Sequence, residues 1–303
     1  MRVSALQTQK GMFALVGLEP LAGIKEWWGL DQIGEESKEQ IQSFFIQPAI
    51  SELVTVAGEI VSGLVLDPVI GLNTAVSTKS GLILPLTQQR SAEIDPLATP
   101  QLDSQWGVVE VANNFGVAKL TLYYHPNEEL AIQKKQMVAE LADYCKFEGI
   151  DFILDLVIYT PAGEEFTVNS FQTAQLQAIQ EFRSLPQILI LQYPLDPLAC
   201  ATLTTELDIP WLVSSRGLRY PEFKETLRTA LEGGAKGFYL YELSWPRTDI
   251  DMDLLAGLAQ KKSSELSEYA LKWLENCKQE MTTTTRDQLL ELTRITNEFG
   301  EDA

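Results

Sequence analysis

Histidine is nearly absent: His125 is the only one among 303 residues. That excludes a zinc site built on several imidazoles and a His-x-x-x-His protease. A Ser-His-Asp triad would have to use His125, and no elbow motif surrounds a serine to support it. Cysteine is scarce as well. Cys145, Cys200 and Cys277 have no metal-ligand spacing, and their odd number argues against a disulfide framework. Reduced thiols and a cytoplasmic location are the expectation. Positive charge is in short supply: 23 Lys and Arg stand against 42 Asp and Glu, a net charge of -19. Such a field repels a phosphate backbone, so neither nucleic acid nor an anionic membrane surface is an expected partner. No apolar run reaches the roughly 18 residues a membrane span needs. Residues 11–18 run straight into Glu19-Pro20 with no small-residue cleavage site, so no signal peptide is expected.

What the chain has is ordinary globular material, 45% hydrophobic and 21% charged, enough for a large core. Eight short apolar runs recur at residues 12–18, 63–67, 81–86, 117–123, 152–158, 188–192, 211–215 and 238–242. Each reads as a strand buried on both faces. Helical periodicity fills 40–58, with Pro48 as a potential kink, and also 128–148, 221–233 and 251–279. Eight βα units in a chain of this length fit a single-domain (β/α)8 TIM barrel over residues 1–303. A doubly wound sheet would expect a Gly-rich phosphate turn after the first strand, which Gly17-Leu18-Glu19-Pro20 is not. The apolar spacing of 288–299 adds a C-terminal amphipathic helix packed on the barrel, or else a contact of a homo-oligomer. Residues 87–107 carry no period and include Pro96 and Pro100, which suits a lid or binding loop.

Chemistry in a barrel sits at the C-terminal strand ends. Those ends supply Glu19, Asp67, Lys119 with Tyr123, Asp155, Gln192 with Tyr193, then Ser214, Ser215 and Arg216, and finally Glu242. Lys119 is the sharpest of them. Strand alternation puts Lys119, Thr121 and Tyr123 on one face; if that face is the interior, an ammonium lies next to Asp155 of the following strand. A desolvated lysine is the amine that forms a Schiff base with a carbonyl compound, and a structural Lys–Asp ion pair is the competing reading. Ser214 to Gly217, just ahead of a helix near Pro221, would suit phosphate bound by backbone N–H groups.

Several stretches together resemble class I tagatose-1,6-bisphosphate aldolase, in the wider class I aldolase group of TIM barrels. They are Leu66-Asp67-Pro68 with Gly71-Leu72, Val117-Ala118-Lys119 through Leu122-Tyr123-Tyr124, the helix from about Gln133, Phe152-Ile153-Leu154-Asp155 through Tyr159, and Gly233 to Gly237 running on to Trp245. They occur in the family's order across residues 12–275. The resemblance implies lyase chemistry on a sugar or small carbonyl compound. No cofactor is expected, and with one histidine and no carboxylate cluster of helix spacing no catalytic metal is expected either. It also places the departures. The family's Schiff-base lysine falls at Ile190 and the acid after it at Gln192. The acid–base glutamate falls at Asp155, the acid ending strand one near Leu18 with Glu19 beside it, and the phosphate-gripping arginine after strand eight at Glu242. Isoleucine forms no imine, so two functions stay open. One is a diverged enzyme in which Lys119 supplies the amine, as in transaldolase-like barrels, Asp155 the acid–base group and Glu19 or Asp67 a proton shuttle. Tyr123, Gln192, Ser214, Ser215, Arg216 and Glu242 then contact the ligand. The other is a non-catalytic barrel acting as a binding or structural partner.

Overall fold

The computed structural model describes residues 2–19, 38–68, 72, 78–87, 97–102, 106–241, 250–259 and 263–301. Eight parallel strands close into one barrel in sequence order: β1 (Phe13–Leu18), β2 (Gly63–Leu66), β3 (Gly81–Pro85), β4 (Val117–Tyr124), β5 (Phe152–Ile158), β6 (Ile188–Leu191), β7 (Trp211–Ser214) and β8 (Gly237–Leu240). The architecture is that of a (β/α)8 TIM barrel with an added C-terminal helix. The apolar runs made this legible because strands covered by helices outside and side chains inside need oil on both faces; every residue of β5 is buried. Asp67, Gln192 and Ser215 follow their strands instead of ending them, and Glu242 lies outside the described residues.

The helices are α1 (Lys38–Ile41), α2 (Gln47–Gly58), α3 (Val108–Asn113), α4 (Ala131–Phe147), α5 (Val168–Phe182), α6 (Pro197–Glu206), α7 (Tyr220–Glu232), α8 (Met252–Ala259), α9 (Ser263–Glu280) and α10 (Arg286–Asn297). Pro48 does not break the first helical region. A π-helical stretch, Gln42–Ile46, joins α1 to α2 and leaves Pro48 in the first turn of α2, where an absent N–H costs least. The span expected at 251–279 is two helices, α8 and α9. Helices α5 and α6 carry clear start signals that apolar spacing alone passes over. Thr167 and Ser170 form a capping box on α5, and Asp196 caps α6 ahead of Pro197. No helix among the described residues is long and apolar enough to cross a membrane.

C-terminal helix α10 packs on the barrel. Tyr220 of α7 donates to Glu291 at 2.5 Å, and Thr8 donates to Asn297 at 2.7 Å. Most of the loop at 87–107 lies outside the described residues; within it Thr87 and Leu102 form one antiparallel bridge.

Side chains of odd-numbered residues in β1, β4 and β5 point into the barrel. The lower interior is a dry cluster of Leu6, Phe13, Leu15, Val65, Ile83, Val117, Ile153, Ile188, Ile190, Leu212 and Tyr239. Leu6 enters from a 3-10 turn, Val3–Leu6, that closes the N-terminal end. Asp151 holds this turn by accepting from the Val3 N–H at 2.8 Å and the Arg2 guanidinium at 2.7 Å. The barrel's seam joins β1 to β8 at Phe13 and Gly237. Gly237 has φ +147°, and a Cβ there would lie 1.9 Å from the Phe13 carbonyl oxygen, so only glycine fits.

Candidate functional site

Above the dry cluster, the same inward alternation carries polar groups. On β1 it runs Phe13, Leu15, Gly17 and then Glu19; on β4 it runs Val117, Lys119, Thr121 and Tyr123. The β4–β5 register pairs Thr121 with Asp155 and Lys119 with Ile153. Lys119 therefore starts one step below Asp155 and its long stem lifts the ammonium to the carboxylate. Lys119 Nζ donates to Glu19 Oε1 at 2.5 Å and to Thr121 Oγ1 at 2.7 Å, and lies 3.3 Å from Asp155 Oδ2. Thr121 passes the chain on, donating its hydroxyl to Asp155 Oδ2 at 3.1 Å. Glu19, Lys119 and Asp155 are each about 1% exposed.

Arg216, just past β7, turns back over the barrel. Its Nη2 donates to Asp155 Oδ2 at 3.0 Å and its Nη1 lies 3.4 Å from the Tyr123 hydroxyl. The guanidinium carbon sits 4.3 Å from the centre of the Tyr241 ring, a cation–π contact. From β8, Tyr239 donates its hydroxyl to Glu19 Oε1 at 3.2 Å, and its ring centre lies 5.0 Å from Lys119 Nζ. Tyr239 reaches that far because β1 carries Gly17: a Cβ there would lie 2.3 Å from the phenol oxygen.

Formal charges in this network balance, two carboxylates against an ammonium and a guanidinium. Balance is what makes their burial tolerable. Burial by itself would push the Asp155 carboxyl up. The charges of Lys119 and Arg216, with hydrogen bonds from Lys119 and Thr121, outweigh it and hold Asp155 below the usual carboxylate range. Burial, reinforced by Glu19 and Asp155, pushes the Tyr239 phenol well up, so Tyr239 stays a hydrogen-bond donor. Two buried atoms of the network have no protein partner: Glu19 Oε2, an acceptor, and Arg216 Nε, a donor.

The structure thus gathers Lys119, Asp155, Glu19, Tyr123 and Arg216 from the residues that the sequence suggests. Others take different places. Asp67 follows β2, partly buried. Gln192 accepts from the Ile158 N–H at 2.7 Å through its side chain and from Gln175 Nε2 at 2.9 Å through its carbonyl, tying strand ends and helix together. Ser214 Oγ accepts from the Arg216 N–H at 3.3 Å. Ser215 Oγ spans Tyr241, accepting from its N–H at 2.8 Å and donating to its carbonyl at 3.0 Å. Tyr239, Tyr241 and Gly17 belong to the site although no motif marks them. A tyrosine inside an apolar strand reads as core, and only the barrel's closure shows what it touches.

A second buried cluster braces the end of β4. Lys134 of α4 is fully buried; it donates to Glu128 at 2.7 Å and to the Tyr123 carbonyl at 2.9 Å, while Tyr159 donates to the same Glu128 oxygen at 2.8 Å. Among the described residues no group of three or more His, Cys, Asp or Glu could hold a metal ion.

No family model matches the chain. It is 25% identical over 261 residues to tagatose 1,6-diphosphate aldolase 2 of Enterococcus faecalis, a match spanning 76% of this chain and 77% of that protein. Its fold is similar to that of an archaeal fructose-1,6-bisphosphate aldolase solved with its catalytic lysine covalently bound to the carbinolamine intermediate of the substrate. There the TM-score is 0.57 at 14% identity, covering 90% of this chain and 96% of the other. Fructose-bisphosphate aldolase from Slackia heliotrinireducens gives a TM-score of 0.56 at 13% identity, covering 90% and 88%. Together these give the chain an aldolase-like TIM-barrel fold.

Proposed function

We propose that the protein is an aldolase-like lyase that handles a small carbonyl compound through an imine on Lys119. The observation that carries this is the Lys119 ammonium, buried in the barrel mouth with Glu19 Oε1 at 2.5 Å and Asp155 Oδ2 at 3.3 Å. An amine in that position has a proton acceptor in contact and little competing water. The resemblance to class I aldolases sets the expected lysine at Ile190, and Ile190 is buried in the dry cluster. Register explains how the amine can move. Asp155 pairs with Thr121 on one side and with Ile190 on the other, so an amine from either flanking strand can reach it. Here it comes from β4.

In this reading Glu19 takes a proton from Nζ, and the free amine attacks the carbonyl carbon. A C–N bond forms and the C=O pair moves to oxygen, which leaves as water. Of the three ammonium protons, two depart in that water and one stays on the iminium nitrogen, so no co-reactant is needed. Asp155, held ionised by Lys119 and Arg216, is the base for a hydroxyl proton as a carbon–carbon bond breaks. Tyr239 keeps Glu19 aimed at Nζ.

The balanced network and the apolar Ile190 favour a second reading, a non-catalytic barrel in which Lys119 is structural. Borohydride trapping with a panel of small aldehydes and ketones, followed by peptide mass mapping, separates the two. The expected result is a reduced adduct on Lys119, absent in Lys119→Arg, which keeps the cation but forms no imine. An adduct on another lysine overturns the assignment, and no adduct with any carbonyl compound supports the non-catalytic reading.

A further inference from the structure

Resting on the amine chemistry proposed above, we infer that the ligand of this mouth is a small uncharged hydroxycarbonyl compound and not a sugar phosphate. Three observations converge on it. The first is charge. Glu19, Lys119, Asp155 and Arg216 neutralise one another through contacts of 2.5 to 3.3 Å, leaving no cation of the network in need of an anion. Arg216 is occupied by Asp155 at Nη2 and by the Tyr241 ring on its face. A phosphate brought here would meet two carboxylates on a chain whose net charge is -19.

The second concerns the turn after β7, where backbone N–H groups and hydroxyls would have to cradle an anion. The N–H groups of Ser215 and Arg216 and the Ser215 hydroxyl are already engaged. The Ser215 N–H donates to the Tyr239 carbonyl at 3.0 Å, the Ser215 hydroxyl spans the Tyr241 backbone, and the Arg216 N–H donates to Ser214 Oγ.

The third is the pair of orphaned atoms. Five buried side-chain atoms lack a partner among the described residues, and two of them, Glu19 Oε2 and Arg216 Nε, belong to this one network. They have opposite polarity, and a buried polar group left unpaired is costly. A neutral molecule with a hydroxyl beside its carbonyl carries the donor that one lacks and the acceptor that the other lacks. The hydroxyl donates to Glu19 Oε2, and a ligand oxygen accepts from Arg216 Nε. A simple ketone offers the acceptor without the donor; a phosphate ester adds a charge the network does not call for.

Equilibrium binding to the full chain, by calorimetry and saturation-transfer NMR without reductant, tests this. The probes are dihydroxyacetone and glyceraldehyde, the phosphate ester of each, and acetone. Each hydrogen bond to a charged group is expected to give about tenfold in affinity. Dihydroxyacetone or glyceraldehyde should therefore bind about tenfold or more tighter than acetone and tighter than its own phosphate ester. Arg216→Lys, which keeps the charge but lacks Nε, should weaken the preferred probe by a similar factor. Phosphate esters that bind equally or better overturn the inference, as does failure of both uncharged probes to bind at millimolar concentration. Retained preference for the uncharged probes without borohydride trapping removes the amine chemistry and leaves the inference standing. Adducts formed only with the phosphorylated probes keep the amine chemistry and overturn the inference.

Discussion

The lower and upper interiors of this barrel are built from the same strands by the same alternation, yet they are chemical opposites. On β1 the inward sequence passes from Phe13 and Leu15 to Gly17 and Glu19; on β4 it passes from Val117 to Lys119 and Thr121; on β5 it passes from Ile153 to Asp155. On β4 and β5 a single inward step, about 6.6 Å along a strand, separates oil from ions. The lower layer gains from burial alone and tolerates any arrangement that fills it. The upper layer gains only if every charge meets its opposite, so its residues depend on each other. β6 breaks the pattern: Ile190 carries the dry layer up to the level of Asp155. Apolar packing and buried charge are therefore separated by height in the barrel.

Breaking the lower layer should show this most strongly. Leu6→Ala removes a fully buried plug from the closed end and is expected to cost about 2–5 kcal/mol in a denaturant titration. Adduct formation on Lys119 should be unchanged in the protein that remains folded; altered trapping would mean the layers are coupled.

The boundary between the layers is Gly17, and Gly17→Ala probes it. The added methyl would meet the Tyr239 hydroxyl at 2.3 Å and its ring carbon Cζ at 2.8 Å. Overpacking of this kind is expected to cost about 1–3 kcal/mol. The displaced tyrosine also loses Glu19, so trapping should slow as stability falls. Tyr239→Phe, which loses the hydroxyl but keeps the ring, should slow trapping with little loss of stability.

The effect most specific to the upper layer is acid sensitivity. The Asp155 carboxyl is depressed in the folded state relative to its unfolded value of about 3.9. Its stabilising contribution is thus complete above that unfolded value and is lost as pH falls through the lower, folded one. Asp155→Asn should flatten this limb of the stability profile between about pH 4 and the acid limit. An unchanged acid limb would show that Asp155 shares no charge coupling with Lys119 and Arg216.

Much of the lower layer was legible in the amino-acid order, because a strand such as Phe152–Ile158 announces its burial in every residue. Lys119 and Asp155 stood out for the complementary reason: a charge inside an apolar run must have a partner. Helix α5 escaped because its sequence, VNSFQTAQLQAIQEF, spreads glutamines across its faces; Gln175, fully buried, sits at a core position. Arg216 looked like part of a phosphate loop because its turn precedes a helix. Its inward swing depends on Asp155 of β5 and on Tyr241 just past β8, both distant in sequence. Tyr239 was hidden most deeply, since its contact with Glu19 joins residues 220 positions apart and needs an absent side chain at Gly17.

The seam at Gly237 gives this arrangement an order in time. Glu19 and Lys119 belong to the first half of the chain, but the tyrosine that completes their hydrogen bonding and the guanidinium that completes the charge balance come from β8 and the turn after β7. As a ribosome extends the chain, two carboxylates and one ammonium are present well before Arg216 emerges. The β1 edge then waits for Gly237 to dock against Phe13. The barrel mouth is consequently among the last parts of the molecule that can become native, since contacts so distant in sequence carry the largest closure cost. A nascent chain stalled before the end of β7 would hold a half-neutralised interior and an open strand edge, the form most exposed to chaperones and to aggregation.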